Sequence, residues 1–183
     1  GIIITMEAFL IYSIYELVVS LLNINKKAYI DSKTKLFNKA YWEDLVRDVF
    51  SAEEQTAMVM FDLNGLKHTN DTLGHNAGDK MISEFSSILK KEIGSKELLC
   101  RWGGDEFAAV IDKEISQDEI ESRLDEFLTG ISDVLPEVHK VTCSIGVCRF
   151  EYPQDISALL KKADEALYKA KKNGRDCYVI EEF

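Results

Sequence analysis

Thr56-Ala57-Met58-Val59-Met60-Phe61 is a continuous apolar run. A strand without polar alternation has to be covered on both faces. The run therefore calls for a buried central strand with helices packed over its sheet. Amphipathic helices are available to cover it. Residues 80–93 place Met81, Ile82, Phe85, Ile88, Leu89 and Ile93 at helical spacing, and residues 117–135 do the same with Ile120, Leu124, Phe127, Leu128 and Ile131. Residues 156–172 carry Leu159, Leu160, Ala163, Ala166, Leu167 and Ala170, and Asn173-Gly174 is a good helix stop. A helix over 39–50, with Tyr41, Trp42, Leu45, Val46 and Val49 inward, follows a break at Asp31-Ser32-Lys33-Thr34, where Asp31 or Thr34 is suited to cap it. Further strands read at 98–100, 107–111, 141–147 and 177–180. Interleaved strands and helices with a hairpin in mid-chain predict an α+β sandwich, one sheet covered by helices.

A length of 183 residues suits one such domain plus an extra element. The extra element is N-terminal. Residues 2–22 are mostly apolar but interrupted by Glu7 and Glu16, with no basic leader segment, so neither a signal peptide nor an easy membrane span results. Leu10, Ile14, Leu17, Leu21, Ile24 and Ala28 repeat at alternating spacings of four and three, the seam of a two-stranded coiled coil. A dimerising helix is the favoured reading, with a membrane-proximal segment or ordinary core packing as alternatives. Gly1 stands where an initiator methionine would, as in a piece of a longer protein. The net charge of −10 argues against a nucleic-acid binder, although a divalent metal can still bridge acids to a nucleotide's phosphates. Cys100, Cys143, Cys148 and Cys177 have no zinc-type spacing and read as free thiols of a reducing compartment.

Chemistry concentrates where the strands end. Asp62 follows the apolar run, and a carboxylate there is a hard oxygen donor of the kind Mg²⁺ takes. Gly65 frees backbone N–H groups for phosphate oxygens, and Lys67 adds a point charge. Between His68 and Asp79, Asn70 and Asp79 can together read a guanine. The amide would face a carbonyl or ring nitrogen, and the acid would accept from N1–H and the exocyclic amine. Their spacing suits two helices facing each other across a turn. No cysteine or third histidine stands close to His68 and His75, which speaks against zinc. Lys169, Lys171, Lys172 and Arg175 either complement a helix dipole or hold a terminal phosphate. In Arg101-Trp102-Gly103-Gly104-Asp105-Glu106-Phe107, two glycines are expected to give a hairpin turn its backbone freedom, and two acids follow side by side.

Gly103-Gly104-Asp105-Glu106-Phe107 spells the signature of the GGDEF-domain diguanylate cyclases, which the chain resembles in several other places. These are Asp62 through Lys67, Asn70-Asp71 with Gly74-His75 and Gly78-Asp79, Ser144-Ile145-Gly146, and Ala163-Asp164 through Gly174-Arg175. Asp31 through Thr34, with Leu36 and Asn38, is similar to the family's opening motif. The resemblance runs in order over about residues 31 to 181 and leaves residues 1–30 as a signalling or dimerisation helix.

The resemblance implies a mostly antiparallel central sheet flanked by helices, like the palm of polymerases and nucleotidyl cyclases. It implies that two GTP become cyclic di-GMP and two pyrophosphates, with one GTP per domain and two domains face to face. Asp62, the Leu63 carbonyl, Asp105 and Glu106 would surround two Mg²⁺ (Mn²⁺ being an acceptable substitute), with Asp105 the favoured base or activator. Asn70 and Asp79 would read guanine with His75 in support. Gly65, Leu66, Lys67, Lys171 and Arg175 would hold phosphates, and the nucleotide would lie across Gly103 and Gly104. The expected location is cytoplasmic, either free or as the cytoplasmic part of a membrane-anchored protein, with room for an upstream membrane or sensor domain. The alternative is a catalytically silent domain that binds GTP as a regulator.

This chain departs from the family pattern at Asn64, Leu66, Lys33 and Lys35, where Asp, Phe, Leu and Gly are usual. Gly94-Ser95-Lys96-Glu97 occupies the window of the family's product-inhibition motif, Arg-x-x-Asp, without its arginine. Weak or absent feedback inhibition is the expectation there.

Overall fold

The computed structural model describes residues 11–18, 20, 28–43, 55–94, 98–112, 115–133, 141–150 and 155–183. Six strands form one sheet: β1 (Phe37–Asn38), β2 (Gln55–Asn64), β3 (Leu98–Arg101), β4 (Glu106–Asp112), β5 (Thr142–Arg149) and β6 (Cys177–Glu182), in the order β1-β3-β4-β2-β5-β6. The pairs β3–β4, β4–β2 and β2–β5 are antiparallel, while β1–β3 and β5–β6 at the edges are parallel. The apolar run is indeed central. Its alternate residues go to opposite faces, as a strand requires. Ala57, Val59, Phe61 and Leu63 join one core cluster, and Met58 and Met60 join the other.

Two helices cover the first face, α2 (His75–Glu92) and α3 (Gln117–Ile131). Phe85 meets Phe107 at 4.7 Å and Phe127 at 5.2 Å, and Phe61 meets Phe127 at 5.5 Å, so both helices are pinned to the sheet by tilted and edge-on rings. The second face is covered by α4 (Ile156–Lys172), through Leu159, Ala163 and Leu167, with Trp42 beside it. A short helix, α1 (Leu66–Leu73), links β2 to α2.

Most element boundaries follow the sequence expectations, and the differences have local causes. The strand expected to stop before Asp62 continues to Asn64, because β5 pairs with it as far as Asn64 opposite Thr142. Helix α2 starts at His75, five residues before the apolar pattern begins, since His75 and Asn76 at its start are polar and exposed. The stretch between Asn70 and Asp79 is helical on both sides of Gly74, which takes φ +84° and alone supplies the turn. Neither Asp31 nor Thr34 caps the helix beginning at Lys39. Asn38 does, accepting from the Tyr41 N–H at 3.1 Å. Residues 44–50 of that expected helix lie outside the described residues.

Residues 11–18 are helical and expose Ile11, Ile14, Leu17 and Val18. Of the seam positions, Leu10, Leu21 and Ile24 lie outside the described residues. Among the described residues no helix is long and apolar enough to cross a membrane. The four cysteines are free thiols, and burial pushes Cys100 up to about 12 and Cys148 up to about 11.

Candidate active site

Sheet register assembles the carboxylates. Glu106 on β4 lies directly opposite Asp62 on β2, Asp62 lies opposite Ser144 on β5, and Ser144 lies beside Cys177 on β6. Directly opposed residues of an antiparallel pair share a face, with Cβ atoms about 4.5–5.5 Å apart. Parity on β2 and β4 assigns that face to the α4 side, since Met58, Met60, Ala108 and Val110 all pack there. Asp105 precedes the strand. Its carbonyl accepts from the Leu63 N–H at 2.8 Å, which ties the hairpin turn to β2 at the same level. Asn64 lies two residues beyond Asp62 on the same face, and its amide donates to Thr142 Oγ1 at 3.1 Å and Ser144 Oγ at 3.4 Å.

Two cationic features lie at this end of the sheet. The C-terminal turn of α4 brings Lys171 to Asp62, Nζ to Oδ2 2.6 Å, with the carboxylate side chain only 13% exposed. Arg175 follows the helix stop, where its N–H donates to the Ala170 carbonyl at 3.2 Å and its own φ is +68°, an αL conformation unusual for a residue with a side chain. The second feature is the N-terminus of α1. Gly65 precedes it at φ +86°, and no side chain caps the first turn. Uncapped N–H groups at a helix start suit an anion. Lys67 is exposed on that turn.

The hairpin glycines work differently from the sequence expectation. Neither Gly103 nor Gly104 takes a left-handed φ, so the turn does not use them for that freedom. A Cβ on Gly103 would come within 3.2 Å of Glu106 Oε2, whereas one on Gly104 would meet nothing within 4 Å. Small size beside the carboxylate is what Gly103 provides, and Gly104 leaves an open face.

Arg101 organises the turn. Its Nε donates to Gly103 O at 3.1 Å, its Nη2 to Gly104 O at 2.8 Å, and its Nη1 to both Asp31 carboxylate oxygens at 3.2 Å. Asp31 also accepts from Thr34 N and Thr34 Oγ1, each at 2.9 Å. Burial raises the Asp31 pKa. The Thr34 hydrogen bonds and the Arg101 charge outweigh it and hold the carboxyl below its usual value. A contact between residues 70 apart has no local signature. The only sequence signal was the chemistry of an arginine next to two turn carbonyls.

The expected base-reading residues lie on α1 and α2. Asn70 packs so closely on Gly78 that a Cβ there would sit 1.9 Å from Asn70 Oδ1. Asp79 is the next residue and pairs with Lys33. His75 is exposed at the start of α2.

Among the described residues, no three His, Cys, Asp or Glu side chains form a ready-made metal cage. Mg²⁺ does not ask for one. It is held by one or two carboxylates completed by water and substrate phosphates, and Asp62 and Glu106 are two carboxylates that could hold it.

The chain belongs to the GGDEF-domain family, whose profile, "Diguanylate cyclase, GGDEF domain", matches residues 28–177. It is similar to diguanylate cyclase DgcS of Shewanella oneidensis, 28% identical over 86% of this chain and 54% of that one. It is also similar to diguanylate cyclase DosC of Escherichia coli, 31% identical over 80% of this chain and 34% of that one. The crystal structure of the coiled coil and GGDEF domain of DgcB from Caulobacter crescentus, in complex with c-di-GMP, superposes with a TM-score of 0.84 at 24% identity, covering 96% of this chain and 99% of that one. The chain thus spans about half of DgcS and a third of DosC, and has the fold of the DgcB domain.

Proposed function

We propose that this chain is a diguanylate cyclase, condensing two GTP into cyclic di-GMP and two pyrophosphates. The observation that carries the reading is the Asp62–Glu106 pair, fixed face to face by strand register beside Lys171 and the uncapped start of α1. Its similarity to DgcS and DosC, both named diguanylate cyclases, supports it.

Asp62 and Glu106, with the Leu63 carbonyl and Asp105, would hold two Mg²⁺, or Mn²⁺ in their place. Such ions supply Lewis-acid stabilisation of the transferring phosphoryl group and a more acidic attacking hydroxyl. The chain's own work is positioning and charge. The N–H groups of Gly65 and Leu66, with Lys67, Lys171 and Arg175, grip the triphosphate. Asn70 and Asp79 fix the guanine, with His75 at the pocket edge. Gly103 and Gly104 leave room for the nucleotide across the hairpin. Asp105, at the turn rather than on the strand, would take the proton of the attacking 3′-hydroxyl.

One domain holds one GTP, so two must meet. The exposed apolar surface of residues 11–18 supports residues 1–30 as the dimerisation helix and 31–183 as the catalytic domain. A cytoplasmic setting, where GTP and Mg²⁺ are available, and an upstream sensor or membrane segment fit that division. With no arginine in the window 94–97, product inhibition through it is weak or absent.

The second reading, a silent GTP-binding module, draws on the Lys171–Asp62 pair, which already neutralises one carboxylate. Incubation with GTP and Mg²⁺ followed by mass identification separates the two. Cyclic di-GMP and pyrophosphate, lost in Asp62→Asn, are expected. Bound but unchanged GTP would establish the silent module instead.

A further inference from the structure

We infer that Lys33 is a second reader of the nucleotide base, donating to the C6 carbonyl of guanine beside Asp79. The inference rests on the reading of this site as a GTP site and adds a specificity residue to it. Lys33 stands where the family pattern has leucine, and its Nζ pairs with Asp79 Oδ1.

The chemistry of the two groups is complementary to one edge of one base. Guanine presents, in order, an acceptor at O6, a donor at N1 and a donor at N2. A carboxylate is acceptor-only and an ammonium donor-only, with three hydrogens. Asp79 takes the two donors. Lys33 uses one hydrogen on Asp79 and keeps two for the neighbouring acceptor, O6. Adenine, with an amine at C6, would put a donor against that ammonium.

The structure also holds Lys33 in place. The turn that carries it is fastened on both sides, with the Lys33 and Thr34 N–H groups donating to Asp31 Oδ1 at 3.2 and 2.9 Å. The Thr34 carbonyl accepts from Lys90 Nζ at 3.2 Å, and Lys90 lies on α2, the helix that carries Asp79. The ammonium therefore approaches Asp79 from a braced backbone and only its stem is mobile. Both side chains are 47% exposed, which leaves the pair open to a base.

The test is equilibrium binding at neutral pH with three probes: GTP, 6-thio-GTP and ITP. The thio analogue keeps N1–H and the N2 amine but replaces O6 with a poor acceptor. ITP keeps O6 and lacks the amine. Wild type should prefer GTP over 6-thio-GTP by about five- to ten-fold, the lower end of the discrimination from one base contact. Lys33→Leu should bring that ratio close to one while leaving the GTP-to-ITP ratio intact, and Lys33→Arg should restore it. An unchanged thio ratio in Lys33→Leu would reduce Lys33 to a counter-ion. Tighter binding of all three probes in that variant would make it a competitor for Asp79, and either result overturns the inference. If GTP binds selectively but no cyclic dinucleotide forms, the cyclase reading falls and the ratios still decide on Lys33. If no guanine nucleotide binds, both fall.

Discussion

Two glycines separate the two ends of this site. Gly146, on β5 under the carboxylate row, is where α4 presses on the sheet: a Cβ there would lie 2.2 Å from both Ala163 O and Leu167 N, which are backbone atoms. Gly78, on α2 at the proposed base end, is where the Asn70 carboxamide settles: a Cβ would lie 1.9 Å from Asn70 Oδ1, the tip of a side chain. The carboxylate end is built from strand register and backbone packing, so its geometry is shared with the core. The proposed base end is built from side chains of α1, α2 and the turn that carries Lys33. A substitution at the first end has to displace backbone, whereas one at the second has only to displace a side chain.

Arg101→Met should have the largest effect on stability. It strips two turn carbonyls and a half-buried carboxylate of their shared donor, and should lower the unfolding free energy by about 2–3 kcal/mol in denaturant titration, below the full cost of breaking a buried pair because Asp31 is partly exposed. An unchanged midpoint would mean that strand pairing alone fixes the hairpin. Gly146→Ala should cost about 1–3 kcal/mol by forcing α4 off the sheet, and cyclase activity should fall with it because α4 carries Lys171. Gly78→Ala should leave the thermal midpoint nearly unaltered and weaken GTP binding by about ten-fold. If the two glycine variants lose stability equally, the contrast between the ends disappears.

The smallest effect is on pH dependence. Asp31 has a depressed folded pKa, so its contribution is complete above its unfolded value, about 3.9. It is lost as pH falls below that value and through the lower folded one. Wild type should therefore lose stability on acidification below about pH 4 more steeply than Arg101→Met, as read by denaturant midpoints across that range.

What the sequence disclosed followed from local rules. The apolar run of β2 and the α4 span with its Asn173-Gly174 stop both show in residue type and spacing. What it hid were contacts between distant segments. Asp31 looked like the cap of the following helix, but it closes its own turn on Lys33 and Thr34 and also holds Arg101, 70 residues away. Lys171 looked like a dipole or phosphate group, and its neighbour is Asp62, 109 residues away. The hairpin glycines suggested φ freedom because turns usually need it, yet the backbone turns without it, and of the two only Gly103 has a close neighbour, Glu106 Oε2. Asp105 and Glu106, adjacent in sequence, were separated by register: Glu106 joins the strand opposite Asp62, and Asp105 stays in the turn.

The central claim is that strand register makes Asp62 and Glu106 one ion-holding pair. Titrating Mn²⁺ in the presence of GTP, with bound metal followed by electron paramagnetic resonance, tests it without requiring turnover. Wild type should take up nucleotide-bound Mn²⁺, and Asp62→Asn and Glu106→Gln should each weaken that uptake by about ten-fold or more while unfolding at the wild-type midpoint. Uptake by either variant equal to wild type would contradict the pairing.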